Sequence, residues 1–195
     1  LLMIAPLLVP GMGAEARSAT TITGHAVANL GFVGLYAFNT MVFASGRPLA
    51  VAVSAAGCLV LAVAVVGGAA AGAESFQRMD SPWYWANFVG HAGAFVWSAV
   101  AGLRQHGLAR RRQALGLAEP VVTNRFLLWG LFGVFATTLL VVGALGTGFA
   151  ENPLQPPLGV ALTISVLGIG ASTCMWLAFF PPEAYLRRVR GAESA

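Results

Sequence analysis

Long apolar blocks separated by short polar or proline-rich breaks dominate the pattern of this chain. Five blocks can be drawn: about Thr20 to Ser45, Leu49 to Gly72, Trp83 to Leu103, Phe126 to Gly148 and Leu158 to Phe180. Each is close to the roughly 20 residues that a helix needs to cross a hydrocarbon core about 30 Å thick. The breaks suit antiparallel neighbours: Gly46-Arg47-Pro48 predicts a tight turn, and Glu74 to Pro82 and Phe149 to Pro157 predict short connections. The pattern predicts an all-α integral membrane helical bundle with five complete transmembrane helices, forming a single domain over residues 1–195 and ending in a basic tail over 181–195.

The opening stretch "LLMIAPLLVPGMGAEARS" has neither an initiating methionine nor a basic region before its apolar run. Residues 1–18 read either as the end of a further, truncated helix or as a signal remnant cleaved near Ala14-Glu15-Ala16. Pro6 and Pro10 suit a helix exit and favour the first reading.

Within the first block, His25, Asn29, Phe32, Tyr36 and Asn39 follow at spacings of three and four, so all five share one helical face. Asn87, His91 and Ser98 form a shorter stripe in the third block. Polar side chains in a membrane are costly without partners, so both stripes are expected to face the protein interior. At about 1.5 Å rise per residue, His25 lies roughly 8 Å and His91 roughly 12 Å from the starts of their helices, comparable depths if the helices are neighbours. His25, Asn29, Tyr36, Asn39, Asn87 and His91 are therefore the candidate ligand-binding residues. Small residues at four-residue spacing, such as Gly68 with Gly72, Ala86-Gly90-Ala94 and Gly168 with Ser172, suit close helix packing.

Composition supports the membrane reading. Hydrophobic residues make up 57% of the chain and charged ones 9%, against about 25% charged in soluble domains. The formal charge is +4, and no lysine occurs, which excludes Schiff-base and P-loop chemistry. Cys58 and Cys174 lie in apolar blocks without metal-ligand spacing. All acidic residues fall outside the five blocks, which disfavours an ion-coupled transporter, and no HExxH or GxSxG pattern is present.

Arginine placement predicts the orientation. Arg47, Arg104, Arg110, Arg111, Arg112, Arg125, Arg187, Arg188 and Arg190 fall on one side, and Arg17 and Arg78 on the other. The positive-inside rule puts the larger group, and the C-terminus, in the cytoplasm. Trp83, Tyr84, Trp85, Trp129 and Trp176 lie near block ends, as interfacial anchors do. Tyr185, Leu186 and Val189 are expected to rest on lipid while the neighbouring arginines meet anionic headgroups. Arg110, Arg111, Arg112, Arg187, Arg188 and Arg190 are the candidate cytoplasmic contacts, and "QALGLAEP" is longer than a turn needs and suggests a docking surface.

"LARRRQALGLAEPVVTNRFLLWG" together with "LAFFPPEAYLRRV" resembles a family of bacterial multi-pass inner-membrane proteins without assigned activity, and more loosely the multi-helix membrane input modules of bacterial signalling proteins. The resemblance covers the last three blocks best and carries over no ligand residues. The expectation is a non-catalytic sensory, ligand-binding or partner-binding subunit of a bacterial inner membrane. Its partners would be the lipid bilayer and a membrane or cytoplasmic protein, not nucleic acid. No cofactor or metal is expected. The rivals are an electron-transfer subunit holding haem or quinone between His25 and His91, and a small permease.

Overall fold

The computed structural model describes residues 11–44, 46–148 and 157–191. They form six α-helices and no strand: α1 (Ala14–Phe43), α2 (Pro48–Ala71), α3 (Pro82–Gln113), α4 (Pro120–Gly148), α5 (Leu158–Phe179) and α6 (Glu183–Gly191), with a 3₁₀ turn at Ala73–Phe76. Proline explains most helix starts. Pro48, Pro82 and Pro120 occupy the first position of their helices, where the missing N–H costs nothing, and Pro157 immediately precedes α5.

Four of these helices, α1, α2, α4 and α5, are long and apolar enough to cross a membrane. At 32 residues α3 has the length, but Asn87, His91 and Ser98 interrupt its apolar stretch and its last turns carry Arg110, Arg111 and Arg112. Burial is inverted relative to a water-soluble protein. Asn29 is 4% exposed and its neighbour Leu30 70%; Asn39 is wholly enclosed while Met41 is 68% exposed. Apolar side chains facing outward and amides facing inward are the arrangement that a hydrocarbon solvent favours.

Several boundaries differ from expectation. Residues 1–10 and 149–156 lie outside the described residues, so most of the expected N-terminal remnant and of the last connection does too. Ala14 to Ser18, expected in that remnant, are the first turn of α1. The third helix continues about three turns beyond Leu103 through the arginines, because Arg, Gln, Leu and Ala are good helix formers and nothing before Gly116 breaks the run. At that break, Gly116 adopts a left-handed φ of 69°. Its N–H donates to the Gln113 carbonyl at 2.8 Å, and the N–H of Leu117 donates to that of Arg112 at 2.9 Å. This pair of bonds is the Schellman arrangement. The "QALGLAEP" run is therefore a helix stop, with Gly116 as its pivot, followed by the proline start of α4.

The chain divides into two compact units, Leu1–Ala94 and Phe95–Ala195, and each takes one part of α3. In the first, α1 and α2 form an antiparallel hairpin. Thr40 and Ser54 hydroxyls bond each other, and Ser54 also donates to the Tyr36 carbonyl at 3.4 Å. In the second, Leu128, Cys174 and Ala178 make the centre of the α4–α5 packing, surrounded by Leu131, Phe132, Phe135, Leu177 and Tyr185. Trp129, expected at the lipid interface, is buried against Phe132 and Phe179. Tyr185, expected on lipid, packs on the same centre, and its hydroxyl accepts a bond from Asn124 Nδ2 at 2.6 Å.

Candidate functional site

The polar stripe of α1 and that of α3 meet inside the first unit. Asn29 is the hub: its Nδ2 donates to the Leu61 carbonyl at 3.2 Å and to Asn87 Oδ1 at 2.9 Å. Its Oδ1 lies 2.7 Å from His91 Nε2. Asn87 Nδ2 in turn donates to the Trp83 carbonyl at 3.1 Å. The two backbone carbonyls can only accept, so they determine which way both amides point. With Asn29 Oδ1 turned to the imidazole, His91 Nε2 must carry a proton, leaving the lone pair of the neutral ring on Nδ1.

Aromatic rings seal this chain of bonds. Phe32 stacks on His91 with ring centroids 4.0 Å apart. Deeper along the stripe, the Tyr36 hydroxyl donates to the Gly90 carbonyl at 3.0 Å. Gly57 and Gly93 make the slot for the phenol, since a Cβ on either would run into it. Asn39 is fully enclosed next along the stripe.

His25 lies on the other side of the hub. Its ring stacks on Phe76 at 4.3 Å, and its buried Nδ1 has no hydrogen-bond partner among the described residues. The 3₁₀ turn after α2 sets this contact. Gly72, with φ of 100°, reverses the chain, Ser75 Oγ donates to the Gly68 carbonyl at 3.1 Å, and Phe76 folds back over Gly68. Beside it, between the start of α1 and this turn, lies a cavity of about 630 Å³ lined by Arg17, Ser18, Thr21, Ala73, Glu74 and Gln77 among others. Thr21 is buried one helical turn before His25. Nearby, Arg78 grips Asp80 at 3.1 and 2.6 Å, and that hydrogen bond holds the exposed carboxyl below the usual carboxylate range.

The six candidate ligand residues thus divide. His91, Asn29 and Asn87 are directly bonded; Tyr36 and Asn39 continue the same buried face; His25 stands apart, stacked on Phe76 one helical turn beyond Thr21, and does not itself line the cavity. Coordination of a metal through His91 Nε2 would require its bond to Asn29 to break. Among the described residues no three His, Cys, Asp or Glu side chains converge. Sequence reasoning did not identify the Leu61 and Trp83 carbonyls, Phe76, or Arg17 and Glu74. Backbone carbonyls carry no sequence signal, but Gly72, four residues before Phe76 at the end of an apolar block, was a visible hint of chain reversal.

In the second unit, one arginine from each basic cluster comes to a single cleft of about 490 Å³, lined by Arg110 and Arg188. Arg111, Arg112, Arg187 and Arg190 are exposed and do not line it. His106 is half-buried in the cleft wall, with Nδ1 donating to the Thr123 carbonyl at 2.9 Å.

Comparison of the chain with protein-family models, with curated proteins and with solved structures finds no match.

Proposed function

We propose that the chain is a non-catalytic multi-pass membrane subunit that binds a small polar ligand at the mouth of its first unit, in a sensory or partner-coupled role. The observation that carries this reading is a cavity that presents Arg17, Glu74 and Gln77, with the buried His25 Nδ1, which has no partner among the described residues, one helical turn beyond the lining residue Thr21. A buried ring nitrogen without a partner is costly, and a ligand hydroxyl, carboxyl or amine would satisfy it. The cavity offers both a cation and an anion, which suits a zwitterionic or mixed polar ligand. The self-satisfied Asn29 hub below it supports a rigid floor rather than a reacting centre.

In this reading α3 also crosses, making five spans, and the membrane is a bacterial inner membrane. The arginine bias puts Arg110, Arg111, Arg112 and the C-terminus in the cytoplasm and the cavity on the outer side.

Native mass spectrometry and a visible spectrum of the purified protein test the proposal. A small polar mass retained by the wild type and by Arg111→Gln, but lost in His25→Phe, is expected. A Soret band would instead favour haem held by His25 and His91. Retention that is unchanged in His25→Phe, or absent from all three proteins, overturns the ligand site.

A further inference from the structure

We infer that the cleft of the second unit is a binding site for the phosphate headgroup of an anionic phospholipid. The inference rests on the spanning reading above but not on its orientation or on the ligand site of the first unit. Three elements build the cleft: Arg110 and Gln113 come from the end of α3, Asn124 and Leu127 from the first turns of α4, and Arg188 from α6. Two arginines 78 positions apart in sequence therefore line one concavity of about 490 Å³, and among the described residues no Asp or Glu lines it.

The arrangement is held in place from within. The His106 bond to the Thr123 carbonyl ties α3 to α4, and the Asn124 bond to the Tyr185 hydroxyl ties α4 to α6. Tyr185 is itself packed on the Leu128–Cys174–Ala178 centre, so α6 is docked and Arg188 is carried to the cleft rather than left on a free tail. Arginine suits phosphate because its planar donors pair two oxygens at once. Pro120 and Thr123, which also line the cleft, set it beside the positive end of the α4 helix dipole.

Depth selects a lipid over a soluble phosphate. Beside Arg110, Arg188 and Gln113 the lining also includes the apolar side chains of Leu127 and Val189, and Leu127 lies where the apolar part of α4 begins. A headgroup site needs that polarity gradient, charge for the phosphate and apolar wall for the glycerol and first acyl carbons; a free anion does not.

The test uses the full chain in neutral phosphatidylcholine nanodiscs doped with phosphatidylglycerol, after flotation has shown membrane insertion. Failure of insertion sinks the spanning reading itself, independently of lipid preference. Phosphatidylglycerol retained per protein is read by native mass spectrometry. The wild type is expected to retain it in preference to phosphatidylcholine. Arg110→Gln with Arg188→Gln should reduce that preference roughly 10- to 30-fold, the order expected for two basic side chains at an anionic surface. Arg111→Gln with Arg112→Gln, which removes the same charge outside the cleft, should leave it nearly unchanged. Arg110→Lys with Arg188→Lys should restore part of it and reports that the cleft is still folded. Equal loss in both double Gln variants, or no preference in the wild type, overturns the site. Displacement of the lipid by millimolar inorganic phosphate, with the same dependence on Arg110 and Arg188, overturns the lipid assignment in favour of a soluble anion.

Discussion

Asn29 shows how one amide can organise a membrane interior. It joins three helices by bonding a backbone carbonyl on α2 and two side chains on α3, and both of its polar atoms are used. Replacing it with Leu leaves the Leu61 carbonyl, Asn87 Oδ1 and His91 Nε2 without their partner, whereas Asn87→Leu removes one amide and frees fewer groups. Asn29→Leu should therefore cost more, about 1–3 kcal/mol, in unfolding from detergent micelles. A double-mutant cycle between Asn29→Ala and His91→Ala should give a coupling of about 0.6–1.7 kcal/mol, the span found for interhelical bonds in membranes. A coupling of zero would show that the imidazole is held by its Phe32 stack alone.

Among the elements, α3 and α4 are set by glycine. A Cβ on Gly102 would lie 2.6 Å from the Gly130 nitrogen, and one on Gly133 would lie 2.7 Å from the Phe95 carbonyl oxygen. Both obstacles are backbone, which cannot rotate away. Gly133→Ala should accordingly push this part of α3 and α4 apart and destabilise the second unit by about 1–3 kcal/mol. Gly143 is the control, because its Cβ would meet only Ile164 Cδ1 at 3.9 Å. Gly143→Ala should be neutral or stabilising by up to about 1 kcal/mol through helix propensity. Thermal unfolding of the two variants in one detergent separates close approach from propensity. Equal effects would mean that the backbones are not held together here.

For the whole molecule, the five-span reading requires α3 to cross the bilayer with the four more apolar helices. Single cysteines at Met79 and Leu117, in a background with Cys58 and Cys174 replaced, bracket that helix. An impermeant thiol reagent added to intact cells should label the first and spare the second, as five spans and the arginine bias require. Labelling of both, or of neither, would leave α3 on one side.

The alternation of long apolar runs and proline-marked breaks was enough to place the five long helices, though not the end of α3 or the short α6, because a hydrocarbon solvent demands length and apolarity and every spanning helix must satisfy its own backbone. The three- and four-residue spacing of His25, Asn29, Tyr36 and Asn39 likewise identified the inward face, since helical geometry alone decides which residues share it. Partner identity was not legible. Which groups Asn29 bonds depends on the Leu61 carbonyl and on Asn87 reaching it from another helix, and long-range approach leaves no periodic trace. The same is true of Arg110 and Arg188, which read as two separate topological clusters until the docking of Tyr185 brought one member of each to a single cleft. Local periodicity determined the elements and their faces; only packing, through close glycine contacts and directional hydrogen bonds, decided which side chains meet.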